Sequence, residues 1–432
     1  MDALLKTEDL KTNFYTFEGV VKALNGVNVM VRPGETYGLV GESGCGKSVT
    51  VRSMMRIVQE PGRIESGRIA LFFDEKDKER GVDIVQQSDA YMQKLRGNDI
   101  SMIFQEASTS LNPVFSIEEQ IGESFEFHRL DEMLRETVEE LDAEIQQGKA
   151  GFLGWKKFQR SQLARELASH TAYDKAVEEL DAQIIRLEST DLQGNASAVA
   201  ALNKKREGMK PFSLSTRILR RVPILRRYRN RLSKTIRTHI VELLRSLGLP
   251  NPENVVDRYP HELSGGMQQR IVIAIALACN PKLLIADEPT SNLDVTIQAQ
   301  ILDLIRKLKE DTIESVIFIT HDLGVVAELC DRVSVMYAGD VAETAAVKDI
   351  FAKQYHPYTE GLIASVPKRD QKGELKPIHG TVPNLVTPPT GCRFHPRCPK
   401  AMDICSQVKP ETIEIAPEHF VACHLYTSED KA

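Results

Sequence analysis

The segment GESGCGKS, residues 41–48, constrains the fold and chemistry of this chain more than any other stretch. Its spacing is G-x-x-x-x-G-K-[ST]. A loop of this kind wraps a polyphosphate with backbone N–H groups, because glycine tolerates the tight turn. An apolar strand, YGLV, precedes it and a helix, SVTVRSMMRIV, follows it, so the helix N-terminus also faces the anion. The pattern predicts a nucleotide site formed by Gly41, Ser43, Gly44, Cys45, Gly46, Lys47, Ser48 and Val49.

Two side chains of this loop have specific tasks. Lys47 is expected to reach the β- and γ-phosphates, and the Ser48 hydroxyl to ligate Mg²⁺. The apolar strand KLLIADE, residues 282–288, ends in two carboxylates, which are costly to bury unless they face a metal or a site. We expect Asp287 to hold Mg²⁺ through water and Glu288 to polarise the attacking water. Taken alone, the pattern also fits two solvated acids at the start of a loop.

Two further segments carry polar residues at the ends of regular elements. LSGGMQQR, residues 263–270, places Ser264, Gly265 and Gly266 at the start of a helix, which is a second anion-binding arrangement or a helix cap without a ligand. FITHD places His321 at the end of an apolar strand. A single histidine there is more often structural than functional.

The composition excludes several classes of protein. A chain of 432 residues is long enough for two or three domains, and a net charge of -6 gives no general case for nucleic-acid binding. No apolar run approaches the roughly 20 residues of a membrane span. The first residues, MDALLKTEDL, do not resemble a signal peptide, so we expect a cytosolic compartment with reduced thiols.

Together these segments resemble those of ABC ATPases. In that family two nucleotide-binding domains pack head to tail, and each ATP lies between the phosphate loop of one and the LSGGQ-like segment of the other. The resemblance implies that Ser264, Gly265 and Gly266 serve a nucleotide held by a second cassette. It implies catalytic roles for Lys47, for Glu288 as the general base and for His321 as the switch histidine. Gln105 in IFQEAS corresponds to the Q-loop glutamine at the Mg²⁺, and Asp294 in SNLD to the D-loop aspartate. Phe14 or Tyr15 corresponds to the aromatic residue that stacks on adenine, and spacing favours Phe14.

The resemblance narrows to the ATPases of oligopeptide, dipeptide and nickel importers, through segments such as IFQEASTSLNPV, HPYTEGLIASVP and VPNLVTPPTGCRFHPRCPKAMDIC. It implies an ATP-hydrolysing subunit that powers solute import, most simply of di- or oligopeptides, with nickel or oligosaccharides as alternatives. The implied partners are a second, homologous ATPase chain, two transmembrane permease subunits and an extracytoplasmic solute-binding protein, with no nucleic acid. The implied location is peripheral, on the cytoplasmic face of the membrane. A DNA-maintenance ABC ATPase is the distant alternative.

The implied fold is α/β: a RecA-like P-loop ABC core with an antiparallel β subdomain, an enlarged helical subdomain and a small Cys-rich extension. We predict the core over residues 1–121 and 241–345, the helical subdomain over 122–240 and the extension, proline-rich and loop-like, over 346–432. Relatives have a far shorter helical segment, so about 125–236 is interpreted as an insertion of exposed helices, possibly a hairpin. Its basic stretch 217–234 is compatible with a solvent-exposed segment without a dedicated role. It is equally compatible with an interfacial helix against anionic lipid headgroups or a membrane subunit.

Four of the seven cysteines lie in the tail, at Cys392, Cys398, Cys405 and Cys423. Four thiolates that converge can hold Zn²⁺ or an iron–sulfur cluster. The paired C-x₂-C knuckles typical of structural zinc are absent, which favours iron–sulfur, and the resemblance implies a [4Fe–4S] cluster. The alternative is four reduced thiols without a metal. Cys45, Cys279 and Cys330 are interpreted as small hydrophobic residues.

Overall fold

A computed structural model describes residues 3–73, 81–147, 153–190, 196–212, 216, 227–291, 293–311, 313–365 and 378–426. These residues form two compact units, one of 1–110 with 268–432 and the other of 111–267. The predicted domain ranges differ from these limits by some ten to thirty residues and remain a prediction. Most of the basic stretch, 217–226 with Pro223, and the glycines at 148 and 151 lie outside the described residues.

The strands of the described residues all belong to the first unit. They are β1 (Leu5–Thr16), β2 (Gly19–Val31), β3 (Thr36–Val40), β4 (Gly62–Leu71), β5 (Val82–Asp83), β6 (Ile100–Ile103), β7 (Leu283–Asp287), β8 (Ser315–Thr320), β9 (Arg332–Tyr337), β10 (Asp340–Ala346), β11 (Thr412–Ala416) and β12 (His419–Ala422). One sheet has the antiparallel order β2-β1-β4-β5, and the other has eight strands in the order β11-β12-β10-β9-β3-β8-β7-β6. The first two strands, β1 and β2, are 12 and 13 residues long and pair in the antiparallel sense.

The α-helices of the described residues divide between the two units. They are α1 (Lys47–Met54), α2 (Asp89–Leu95), α3 (Ala107–Ser110), α4 (Ile117–His128), α5 (Leu130–Gln146), α6 (Leu153–Thr190), α7 (Ala196–Gly208), α8 (Asn230–Ser246), α9 (Pro252–Val255), α10 (Gly265–Leu277), α11 (Val295–Asp311), α12 (Leu323–Leu329), α13 (Val347–Ala352) and α14 (Pro357–Ala364). None of these described helices combines the length and the apolarity that crossing a bilayer requires.

The centre of the eight-stranded sheet is parallel. β3 pairs with β8 and β9, and β7 pairs with β8 and β6, all in the parallel sense. Every residue of β3, β7 and β8 is buried, which explains why these strands are continuous apolar runs with no alternation. One apolar core, which includes Val51 and Met54 of α1, joins both sheets. The carboxyl ends of the parallel strands therefore meet at one rigid edge, where ligands bind in open α/β sheets.

The C-terminal extension corrects the expectation of a loop-like tail. It contains the helices α13 and α14 and a hairpin, β11–β12, whose second strand pairs with β10 and so extends the main sheet. The buried His419 ring lies 2.7 Å (Nε2 to Oε1) from the buried Glu343. Strands of four or five residues with charged side chains give too little period-two pattern to be recognised in a proline-rich sequence.

The second unit is helical throughout its described residues, and α5 and α6 form the predicted hairpin. Their ion pairs run in opposite chain directions, from His170 with Asp131 to Arg160 with Asp142 and Lys156 with Glu144. The expectation of exposed helices is wrong, because each helix buries an apolar stripe that includes Leu134, Leu141, Leu163 and Val177. The hairpin is therefore a packed structure.

The described end of the basic stretch points into this unit. Arg229 is buried with its guanidinium 3.5 Å (Nε to Oε2) from Glu166 of α6, and Glu166 also accepts a hydrogen bond from the Tyr228 hydroxyl. Arg231 makes a bidentate pair with Glu144, at 2.9 and 3.0 Å. These arginines bind carboxylates of the same unit, and the interfacial role of the stretch remains a prediction.

The buried Glu166 gives a test of this packing. Glu166→Gln removes the buried one of the two carboxylates beside the Arg229 guanidinium and leaves only Glu126, 3.8 Å from it. Because a buried charge then loses its nearer partner, we expect the free energy of unfolding to fall by about 3 kcal/mol. Thermal or urea unfolding of the full chain measures this loss. Glu178→Gln, at an exposed position of the same helix, is the control and should change stability by less than about 0.5 kcal/mol. Equal stability of the two variants would contradict a structural role for the pair.

Candidate nucleotide and cysteine sites

The phosphate loop connects β3 to α1, as the sequence predicts. At Gly41 a Cβ atom would lie 2.2 Å from the Met336 carbonyl oxygen, so only glycine allows this approach to β9. Gly46 caps α1 with a φ of 104°, a left-handed conformation that favours glycine. Ser43 and Gly44 are exposed at the tip of the loop, and the backbone N–H groups at the start of α1 have no intrahelical partner.

Lys47 and Ser48 are oriented by this loop. The buried Lys47 ammonium donates to the carbonyl oxygens of Gly41 at 2.7 Å and Glu42 at 3.1 Å, which places it in the concave side of the loop. The Ser48 hydroxyl donates to Asp287 Oδ1 at 2.9 Å. The two residues predicted to hold Mg²⁺ are thus adjacent, although 239 positions separate them in the chain. Val49 packs against the apolar core, and Cys45 is buried.

The Asp287 carboxylate is suited to a metal ion. The residue is fully buried, and its Oδ2 atom has no hydrogen-bond partner among the described residues. Burial raises the pKa of Asp287, while the Ser48 hydroxyl opposes this shift. A buried carboxylate oxygen without a donor is costly unless a cation compensates it, so the donor set of Ser48 and Asp287 fits Mg²⁺.

Glu288 lies beside Asp287 and is held by two of the predicted catalytic residues. Gln105 Nε2 donates to one of its carboxylate oxygens at 3.2 Å, and His321 Nδ1 lies 3.3 Å from the other. The Ser291 hydroxyl donates to the Gln105 carbonyl at 2.8 Å and so fixes the loop after β6. Sequence reasoning did not identify Ser291. Its position three residues after Glu288 could have marked it as a neighbour of the site. The structure brings together Gln105, Glu288 and His321 from the ends of β6, β7 and β8.

The two aromatic candidates differ in their surroundings. The Tyr15 ring is exposed, its hydroxyl donates to Glu65 at 2.7 Å, and the Arg63 guanidinium lies 5.9 Å from its centroid. Phe14 is half-buried and packs against Gly62 of β4. Nothing in these contacts decides which ring stacks on adenine, and both remain predictions.

The signature and D-loop residues are all near the protein surface. Ser264 and Gly265 are exposed and Gly266 is half-buried at the start of α10. A Cβ atom at Gly265 would meet no atom within 4 Å, so the space in front of this helix end is open. Asp294 is exposed and caps α11 by accepting from the Ile297 N–H at 2.9 Å. This accessibility is what a site for a ligand held by another molecule requires.

The four tail cysteines are close enough to affect one another. Burial and, to a lesser extent, the neighbouring cysteine sulfurs raise the pKa of Cys392 and of Cys423 to about 11. The Cys392 N–H donates to the Cys405 carbonyl at 2.8 Å, so the segment folds back on itself. Cys398 is half-buried, and burial raises its pKa as well. By contrast Cys279 and Cys330 are buried apart from this group, as predicted.

Comparison with known proteins decides the family. The sequence profile described as "ABC transporter" matches residues 24–291, which include the phosphate loop, LSGGMQQR and KLLIADE. The chain belongs to the ABC transporter ATPases. A second profile, described as "Oligopeptide/dipeptide transporter, C-terminal region", matches residues 342–405. The predicted α/β ABC cassette fold with a mixed sheet and ATP hydrolysis as its activity are therefore confirmed.

Several curated relatives align with this ABC ATPase over nearly its whole length. A probable peptide ABC transporter ATP-binding protein of Sinorhizobium fredii is 38% identical over 98% of this chain and 95% of its own. The dipeptide transport ATP-binding protein DppD of Bacillus subtilis is 36% identical, again over 98% of this chain and 95% of its own. The oligopeptide transport ATP-binding protein AppD of the same organism is 38% identical over 99% and 98%.

Asp287 provides a test of the magnesium site. Because burial raises its pKa, the ionised carboxylate destabilises the fold at neutral pH, and Asp287→Asn should raise the free energy of unfolding by about 0.5–2 kcal/mol. The gain should vanish as the pH falls below about 3.9, the ordinary pKa of aspartate, where the wild-type group is also neutral. The same variant should lose Mg²⁺-dependent ATP hydrolysis.

Unfolding of the nucleotide-free protein measures the change in stability. Phosphate release measures the loss of ATP hydrolysis. Asp303→Asn, at an exposed position of α11, is the control and should change neither by much. A less stable Asp287→Asn protein, or one with full hydrolysis, would contradict the assignment.

Proposed function

We propose that this ABC ATPase is the ATP-hydrolysing subunit of an importer of di- or oligopeptides. The observation that supports it most directly is Glu288, held between Gln105 and His321 and next to the buried Asp287. The substrate follows from the relatives, three of which carry names for peptide, dipeptide or oligopeptide transport. Nickel and oligosaccharides are the less favoured substrates. The C-terminal match to peptide transporters argues against the DNA-maintenance alternative.

The residues of the site divide the chemistry between them. Backbone N–H groups of the loop and the Lys47 ammonium would bind the phosphates, and Ser48 and Asp287 would hold Mg²⁺, which would supply positive charge next to the phosphates. Glu288 is placed to orient a water and accept its proton. Gln105 and His321 fix both oxygens of that carboxylate, so its orientation is set before the reaction. Phosphoryl transfer needs positioning and charge stabilisation more than covalent chemistry, and these groups supply both.

The exposed signature residues imply that a second cassette completes each site. Ser264, Gly265 and Gly266 would contact a nucleotide bound by the partner, and Asp294 would lie at the same junction. The partner ATPase is proposed to be a homologous, different chain. Two permease subunits and an extracytoplasmic binding protein complete the importer, with this chain peripheral on the cytoplasmic face of the membrane.

Removing the base tests the proposal. Glu288→Gln keeps the size and hydrogen-bonding of the side chain but cannot accept the proton, so we expect hydrolysis to fall by about 100-fold or more while ATP binding is retained. Phosphate release and nucleotide titration measure these two quantities. With ATP, the same variant should associate with a second cassette and co-purify with integral membrane proteins. Full activity, or failure to associate with any cassette, would contradict the proposal; Glu314→Gln, away from the site, is the matched control.

We further propose that Cys392, Cys398, Cys405 and Cys423 hold a [4Fe–4S] cluster. Sulfurs around one tetrahedral Zn²⁺ would lie about 3.8 Å apart, given a Zn–S distance of about 2.3 Å. Among the described residues no three cysteine sulfurs lie within 4.8 Å of one another. The choice of an iron–sulfur cluster over a single ion rests on the resemblance and on the absence of paired C-x₂-C spacings in the sequence. The cluster would pin a segment that has little apolar core of its own.

The identity of the metal is open to a direct test. Anaerobically purified protein should absorb near 400 nm and contain about four iron atoms per chain. Cys405→Ser should lose that absorbance and most of the iron, whereas Cys279→Ser, a buried thiol outside the group, should keep both. If the protein contains one zinc per chain and lacks the absorbance, the site binds Zn²⁺ and the cluster assignment is wrong. If it contains no metal, the four cysteines are free thiols.

A further inference from the structure

The phosphate loop contains an acidic residue that the ATP site does not use. Glu42 follows Gly41 directly, and its carbonyl oxygen accepts from the Lys47 ammonium at 3.1 Å. A carboxylate in a loop that binds three phosphates repels them unless a positive group compensates it, since like charges a few ångströms apart interact strongly at a partly buried site. Its counter-charge therefore matters to nucleotide binding.

That counter-charge comes from the cysteine-rich segment. Arg397, immediately before Cys398, donates to both carboxylate oxygens of Glu42, at 2.7 and 3.1 Å. The arginine side chain is only 7% exposed. Its Nε donates to the His379 carbonyl at 2.8 Å, and its guanidinium lies 5.6 Å from the Tyr337 ring centroid. A planar guanidinium fixed by these contacts is pre-organised for bidentate pairing.

A second contact from the same part of the chain reaches the loop backbone. The Glu42 N–H donates to the Tyr358 hydroxyl at 3.0 Å. Tyr358 of α14 is fully buried, and its ring packs against Tyr337 and Phe394 with centroids 4.7 and 5.3 Å apart. Residue 42 is therefore held at its side chain and at its amide by residues that lie between β10 and β11 in the sequence.

We propose that Arg397, supported by Tyr358, is a positioning residue for the phosphate loop. It neutralises the Glu42 carboxylate and turns it away from the concave side where Lys47 lies. The C-terminal segment thereby sets the affinity of the loop for nucleotide. The inference rests on the ATP site alone and requires neither peptide import nor a cluster at the cysteines.

A double-mutant cycle separates this role from a simple stabilising ion pair. Arg397→Gln leaves Glu42 uncompensated, so we expect affinity for a fluorescent ATP analogue to fall about tenfold, with KM for ATP rising equally and kcat changing less than about threefold. Glu42→Gln should bind within about twofold of the wild type. The double variant should recover to within about threefold, because the repelling charge is gone.

Two further variants keep the test decisive. Glu418→Gln removes the pair with Arg32, which joins the extension to the residue after β2 but contacts no residue of the phosphate loop, and should leave nucleotide affinity unchanged. If Arg397→Gln does not fold, as judged by thermal unfolding, Arg397→Lys replaces it. Lysine keeps the positive charge but cannot donate to both carboxylate oxygens as the arginine guanidinium does. We expect its nucleotide affinity to fall about threefold, and this loss should disappear in the Glu42→Gln background. Equal losses in both backgrounds, or a loss in Glu418→Gln, would overturn the proposal.

Discussion

The buried carboxylate of Asp287 is the constraint around which the first unit is arranged. It terminates a strand whose residues are all buried, and its one described hydrogen bond comes from Ser48, which follows β3. Such a group is tolerable only where parallel strands end together and a cation can approach. The same edge carries Gln105 after β6 and His321 after β8. The sheet order β3-β8-β7-β6 thus brings four distant sequence segments together at one candidate site.

Local patterns predicted much of this site because its parts coincide with element ends. The loop at residues 41–48, the carboxylates after KLLIAD and the histidine after FIT are each visible as polar residues following an apolar strand. The pairing of Gln105 with Glu288 is not, since 183 positions separate them and only the order of strands brings them together. Only the resemblance to ABC ATPases predicted that Gln105 and Glu288 belong to the same site.

Other features escaped sequence reasoning for physical reasons. The hairpin β11–β12 is short, and three of the nine residues in its strands are polar, so its membership of the main sheet depends on pairing with β10. In the helical unit, glutamate and arginine are common on solvated faces, and nothing local distinguishes the buried Glu166 and Arg229 from their exposed neighbours. Burial of charged groups is decided by which faces meet, and that is tertiary information.

The pairing of Glu42 with Arg397 has a consequence for how the protein is made. The two residues lie 355 positions apart, and a ribosome adding about 5–20 residues per second produces the arginine about 20–70 s after the glutamate. Throughout that interval Glu42 lacks the counter-charge that Arg397 supplies in the folded chain. A truncated product that stops before Arg397 keeps this handicap permanently. On the role proposed for Arg397, the loop reaches its full affinity for nucleotide only after the C-terminal segment has been synthesised.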